Sequence, residues 1–279
     1  MKQIIKKGSF LTLMFLLLGC LSLYAADNDL ITKQITIKLK KAGTLPDRIT
    51  DSERYKITNL KIIGEINGTD WKMIRWMAGS GFSYGKLSVL DLSEAKIVEG
   101  GDYYYYANYG YYYTSNDVIG FCAFCDCRRL TRLTLPAGIT KIGEYAFWGC
   151  SGLTSLTLPD GITWIHYEAF RGCSGLTSIY VYAEKVPEIG SNAFEGVDAK
   201  KCTLYVPMGT RDDYWISDIG SYFENIVEFE ATGIDKTTTS TDVEEVARYS
   251  VKGQRLSAPT KGLNIVKYSD GSVKKVAVR

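Results

Sequence analysis

Histidine is almost missing from this chain: His166 stands alone among 279 residues. A nucleophile activated by imidazole, in a Cys-His pair or a Ser-His-Asp set, has only that residue to draw on. His166 fills a recurring slot held elsewhere by Gly143 and Gly190, and no neighbour in sequence makes a site of it. No pair of carboxylates converges in a motif, and no glycine-rich loop follows a strand as a phosphate cradle requires. Beyond the first 25 residues no segment is apolar enough to span a membrane. Positive charge is also scarce where a nucleic-acid face would need it. Residues 1–25 hold Lys2, Lys6 and Lys7 without an acid, and residues 246–279 hold eight Lys or Arg against Asp270 alone. The middle is left with 22 basic against 30 acidic residues. An acidic body excludes a broad nucleic-acid surface. Neither an enzyme, a cofactor nor a metal is expected.

What the chain does have is repetition. Ile119–Lys141 reads IGFCAFCDCRRLTRLTLPAGITK, Ile142–Trp164 reads IGEYAFWGCSGLTSLTLPDGITW, and Ile165–Glu188 reads IHYEAFRGCSGLTSIYVYAEKVPE. A looser copy opens at Ile189 (IGSNAF) and closes on Leu204-Tyr205-Val206-Pro207. Within a unit, Leu153-x-x-Leu156-x-Leu158 ends in the alternation of a short strand, and Pro159 stops it. One such coil cannot bury its own apolar side. Stacked coils give each strand a parallel neighbour and share a continuous core. The fold class expected is a repeat solenoid, mostly β, with parallel strands and short helical or irregular returns, followed by a small β module. Ala123-Phe124, Ala146-Phe147, Ala169-Phe170 and Ala193-Phe194 should stack as a column. Cys127, Cys150 and Cys173 share one slot, which makes them a column of small buried thiols. Cys122, Cys125 and Cys127 spell C-x2-C-x-C, a hint of zinc. A structural or disulfide role is the expected reading, because a metal needs a fourth ligand at a shared locus.

The flanks divide the chain further. Lys2, Lys6 and Lys7, then Phe10–Leu18, then Ala25-Ala26 predict an export signal over 1–25. Apolar residues that continue to Tyr24 favour cleavage near Ala25; the alternative is that Leu17-Leu18-Gly19-Cys20, which resembles a bacterial lipobox, leaves Cys20 lipidated and the protein on the outer membrane. Membrane association is expected only through that lipid. Residues 26–56 read as an N-terminal cap, with a helix around Leu45–Glu53. Residues 57–230 form the solenoid, in which Thr69 caps a helix Asp70–Ala78. Residues 231–245 are a polar, Thr-rich linker, and 246–279 are short alternating runs with an Asp270-Gly271 hairpin signal. Tyr214-Trp215-Ile216 and Tyr222-Phe223-Ile226-Val227 read as the closing cap.

Two sets of candidate contacts follow. The insertion at 99–117 interrupts the repeat with Tyr103, Tyr104, Tyr105, Tyr106, Tyr109, Tyr111, Tyr112 and Tyr113, accompanied by Gly, Ser and Asn. That is the composition of protein paratopes, in which Tyr gives a large contact area at low entropic cost. The sheet face exposes the residues between the buried leucines: Arg132, Thr134, Ser155, Thr157, Ser178, Tyr180, Tyr182, Thr203 and Tyr205. The insertion is expected to loop out and to serve recognition rather than stability.

The motif I-G-x-x-A-F-x-x-C-x-x-L-x-x-L-x-L-P resembles the BspA-like (Treponema-type) leucine-rich repeats of bacterial surface proteins, over roughly residues 57–230. Tyr249–Arg255, Lys261–Val266 and Val276–Arg279 resemble the C-terminal sorting modules of Bacteroidetes secreted proteins. The resemblance implies a surface or secreted adhesion protein without catalytic residues. It implies a host or bacterial surface protein as partner, a glycan bound through exposed tyrosines being the alternative.

Overall fold

The computed structural model describes residues 29–81, 83–107, 110–229, 245–250, 255–256, 258, 261–268 and 273–278. The export signal with Cys20, most of the linker read at 231–245, Tyr109 and the Asp270-Gly271 turn lie outside the described residues. The chain divides into two compact units, Met1–Ala231 and Thr232–Arg279.

In the first unit the strands run β1 (Ile35–Lys38), β2 (Asn59–Ile66), β3 (Val89–Asp91), β4 (Ala95–Ile97), β5 (Gly100–Ala107), β6 (Gly110–Thr114), β7 (Val118–Ile119) and β8 (Arg132–Thr134). They continue through β9 (Lys141–Ile142), β10 (Ser155–Leu158), β11 (Trp164–Ile165), β12 (Ser178–Val181), β13 (Glu188–Ile189), β14 (Thr203–Pro207) and β15 (Asn225–Phe229). A parallel sheet carries the order β1-β2-β3-β8-β10-β12-β14-β15, with β4 also on β2. A second parallel sheet stacks β13-β11-β9-β7, and β5 pairs with β6 as an antiparallel hairpin.

Period-2 alternation decides which side chains go inward. Leu133, Leu156, Ile179, Leu204 and Ile226 share one register row, and all are buried. Behind them the phenylalanines stack: Phe124–Phe147 at 5.3 Å, Phe147–Phe170 at 4.9 Å and Phe170–Phe194 at 5.1 Å between centroids. Each of the four is at most 1% exposed, and burial of one such ring stabilises by roughly 1.5–3 kcal/mol. The backbone ties coil to coil in the same place. Phe124, Phe147 and Phe170 donate their N–H to the carbonyls of Ala146, Ala169 and Ala193 at 2.6–2.7 Å. The column thiols add a ladder of their own, Cys150 Sγ donating to Phe124 O at 3.0 Å and Cys173 Sγ to Phe147 O at 3.1 Å. Coils approach so closely at Gly152 and Gly175 that a Cβ would lie 2.2 and 2.3 Å from the carbonyls of Arg128 and Ser151.

The solenoid is closed at both ends. Helix α1 (Gly68–Met77) starts two residues earlier than Thr69 suggests, because Asn67 is its cap. Asn67 accepts the Thr69 N–H, and Asp70 returns a bond to the Asn67 N–H, which completes a capping box. The buried Asp70 carboxylate also accepts the N–H groups of Gly43 and Leu45. Those bonds hold the expected Leu45–Glu53 helix as a single 3-10 turn, Leu45–Asp47. At the far end, Phe223 meets Phe194 edge-on at 5.3 Å. Tyr214, in helix α2 (Arg211–Trp215), is buried and donates its hydroxyl to Ala183 O at 2.7 Å. Trp215, Ile216 and Val227, read from sequence as part of this cap, stand exposed. The second unit is an antiparallel sheet, β17-β16-β18-β19, of β16 (Glu245–Ser250), β17 (Arg255–Leu256), β18 (Gly262–Tyr268) and β19 (Val273–Val278).

Candidate functional site

The coil that begins at Ile119 has carbonyls that a preceding copy of the Ala-Phe turn would otherwise engage. Side chains take that place. Trp71 Nε1 and Arg75 Nη1 donate to Ala123 O at 3.0 and 2.9 Å, and Arg75 also donates to Cys122 O. Tyr104 donates its hydroxyl to Phe121 O at 2.9 Å. The Trp71 ring continues the phenylalanine column, 5.1 Å from Phe124. Helix α1 and the start of β5 therefore act as a substitute coil.

This geometry corrects the reading of the insertion. It is a hairpin rather than a free loop, and Tyr104 is 5% exposed, so it belongs to the core and offers nothing to a partner. Tyr105 and Tyr112 are half-buried against the core, and Tyr112 stacks on Phe121 at 4.2 Å and 11°. Burial pushes the phenols of Tyr104 and Tyr105 up, so both stay neutral. Tyr103, Tyr106, Tyr111 and Tyr113 remain on the surface at 36, 51, 57 and 53% exposure. Tyr111 packs against both Tyr103 (4.7 Å) and Tyr106 (4.9 Å), so these three exposed rings form a supported patch. Lys72 lies over the Tyr103 ring at 4.5 Å, and Arg75 over Tyr105 at 4.7 Å. A cleft of about 280 Å³ opens between α1 and the hairpin, lined by Lys72, Arg75, Trp76, Tyr103–Tyr106 and Cys125 among others.

All of the sheet-face candidates but Tyr182, which lies just past the end of β12, fall in two register rows. Arg132, Ser155, Ser178 and Thr203 form one, in which Ser178 and Ser155 are 3.0 Å apart. Thr134, Thr157, Tyr180 and Tyr205 form the other, and Lys61 and Asp91 extend it. Lys61 is almost fully covered; burial works against its charge, and Glu94 at 2.7 Å and Asp91 at 3.4 Å more than offset it, raising its pKa. At the opposite end Tyr180 stacks on Tyr205 at 4.4 Å and 8°, with Tyr180 and Tyr182 edge-on to Phe229. Ring contacts thus group the candidates into a hairpin set and a sheet-face set.

Sequence reasoning missed an outer aromatic ladder, Phe121–Tyr145 at 5.6 Å and Tyr145–Tyr167 at 5.5 Å, which runs on from Tyr112. It also missed that the slot before each Ala-Phe pair is left-handed: Cys122, Tyr145, Glu168 and Asn192 have φ between 49° and 58°. His166 lies flat on Trp164 at 4.5 Å. Among the described residues, no group of three or more His, Cys, Asp or Glu could hold a metal ion.

The strand register, the Phe column and the closed ends define a β-rich solenoid, and the repeat has a known counterpart. Residues 101–214 match the BspA type Leucine rich repeat region in six copies. The fold is therefore a leucine-rich repeat solenoid, and β1–β3 extend its parallel sheet ahead of the matched repeats. A crystal structure of a leucine-rich repeat protein from Bacteroides ovatus is similar at 21% identity, with a TM-score of 0.38. The likeness covers 71% of this chain and 42% of that one, so the chain spans less than half that protein's length. No curated protein matches the chain.

Proposed function

We propose that this chain is an exported, non-enzymatic binding protein of the bacterial cell surface that recognises another protein through its tyrosine hairpin. The observation that carries this reading is the patch of Tyr103, Tyr106 and Tyr111, exposed but braced by one another and by Lys72, with Tyr113 exposed beyond Tyr111 on the same strand. Rigid aromatic anchors of this kind are what binding hot spots use. BspA-type repeats over residues 101–214 support an interaction role. Export rests on the basic start, apolar run and Ala25-Ala26, with lipidation at Cys20 as the variant that tethers the protein to the outer membrane. The antiparallel strands of the second unit are compatible with a C-terminal sorting module. Among the described residues, no helix is long and apolar enough to cross a membrane.

A second reading, glycan binding, draws on the Tyr180, Tyr182, Tyr205 and Phe229 cluster, whose half-buried rings share one side of the sheet. Binding of the purified chain to an array of immobilised extracellular-matrix proteins, run beside a glycan array, separates the two. Protein capture that is lost with the four exposed hairpin tyrosines supports the leading reading. Glycan capture that depends on Tyr180 and Tyr205 supports the second, and silence on both arrays counts against each.

A further inference from the structure

Cys125 occupies a slot that faces solvent in the coils that follow, where it carries Trp148, Arg171 and Glu195. It is 5% exposed only because α1 and the hairpin lie over it. Cys122 sits in the left-handed slot of the same coil, at φ 50° and 7% exposure. The Cys125 N–H donates to Cys122 O at 3.2 Å, which closes a four-residue turn. Such turns hold their end Cα atoms within about 7 Å, and a disulfide spans roughly 4.4–6.8 Å. The turn therefore brings the two cysteines to about the separation a disulfide spans.

The surroundings favour reaction at Cys125. Arg75 is 5% exposed and, among the described residues, makes no ion pair with a carboxylate. A buried cation without a counter-charge is costly. Its Nη2 faces Cys125 Sγ at 3.6 Å, which makes a thiolate its natural partner. The Cys122 hydrogen bond draws the Cys125 thiol down to about 6 against the opposing effect of burial, with Arg75 and Tyr105 adding to the fall. Cys122 is pushed up by the same hydrogen bond and by burial. Of the other titratable neighbours, Tyr104 and Tyr105 on β5 stay neutral and Cys127 is pushed up to about 12, while Lys72 on α1 and Asp126 on the same turn share the cleft. Cys125 lines that cleft of about 280 Å³, which opens to solvent between α1 and the hairpin.

We infer that Cys122 and Cys125 are a thiol–disulfide exchange pair that reacts with small organic disulfides entering this cleft. The Cys125 thiolate attacks one sulfur of the small disulfide; a Cys125–sulfur bond forms, the disulfide bond breaks, and one thiolate leaves. That leaving group takes the proton of Cys122, whose sulfur then attacks Cys125 Sγ. The Cys122–Cys125 disulfide forms and the second small thiol departs. Two protein thiols are oxidised and one disulfide is reduced to two thiols. Because Arg75 stabilises the reduced form, the protein disulfide is easily reduced again, as an exchange couple requires and a structural bridge does not. Cys150 and Cys173 are instead bonded to the carbonyls of Phe124 and Phe147, and burial pushes both thiols up.

The test uses the full chain and a Cys122→Ser variant, whose hydroxyl keeps a donor beside Cys125. Exposed to oxidised glutathione, the wild type should form the Cys122–Cys125 disulfide without a lasting adduct, and the variant should trap glutathione on Cys125, both read by mass spectrometry of unreduced peptides. Alkylation of Cys125 by iodoacetamide in the variant should rise with pH to a midpoint below the free-thiol value of about 8.5, because Arg75 still faces its sulfur. Arg75→Gln should move that midpoint upward by about one unit, slowing alkylation about tenfold below it. A role for Arg75 confined to the carbonyls of Cys122 and Ala123 would change the melting temperature and leave the midpoint in place. Should Arg75→Gln fail to fold, the Cys122→Ser profile decides alone. A midpoint at or above the free-thiol value of about 8.5, or adducts spread evenly over Cys127, Cys150, Cys173 and Cys202, overturns the inference.

Discussion

At Ala123 the carbonyl receives Trp71 Nε1–H and Arg75 Nη1–H, where Ala146, Ala169 and Ala193 receive a backbone N–H from the preceding coil. Trp71→Phe keeps the ring on Phe124 and removes one of those donors. It should lower stability by about 0.5–1.5 kcal/mol, the net worth of one hydrogen bond, and a urea titration reads it. Phe147 is buried between Phe124 and Phe170, so Phe147→Ala should cost about 3–5 kcal/mol. An unchanged melting temperature would mean that Phe147 is not in the column. Asn192 is exposed at φ 58°. Asn192→Ala should destabilise by about 1 kcal/mol, since a Cβ disfavours the left-handed region and alanine offers no local hydrogen bond in return. Asn192→Gly should not, and paired melts of the two variants check the difference.

At the scale of elements, the hairpin divides into a structural strand and a surface. Tyr104 fills the end of the core beside Trp71 and satisfies Phe121 O. Tyr104→Ala should cost about 3–5 kcal/mol, as truncation of a buried ring does. Alanine at Tyr103, Tyr106, Tyr111 or Tyr113 should each stay within about 0.5 kcal/mol. This division could not be read from sequence, because inside and outside positions carry the same residue and period 2 leaves no trace in a run of tyrosines. The coils were readable for the opposite reason: Leu156, Phe147 and Cys150 recur at fixed intervals, and each copy confirms the others' register. The start of α1 turned on a local choice between Asn67 and Thr69, both good caps. Asp70 settles it, since it stands three residues after Asn67 and closes the capping box.

For the whole molecule, stability of a solenoid is the sum of coil and interface terms, and its end units decide whether the array is soluble. The repeats made the architecture legible, but each cap occurs once and leaves no period. Trp71, Arg75 and Tyr104 are therefore recognisable only from the carbonyls they meet. The same cap lifts four tyrosines to the surface, and the central claim is that stability and recognition separate within this one hairpin. The most direct measurement is a pair of readings on two variants. One replaces Tyr103, Tyr106, Tyr111 and Tyr113 with alanine; the other is Tyr104→Phe, which removes only the hydroxyl bond to Phe121 O. Thermal unfolding is recorded for each, together with binding to the matrix protein that captures the wild type. The quadruple variant should melt within a few degrees of wild type and lose at least about a hundredfold in affinity, as loss of several hot-spot rings implies. Tyr104→Phe should melt lower and bind normally once folded. A quadruple variant that binds like wild type, or that unfolds as Tyr104→Ala is expected to, would contradict the account.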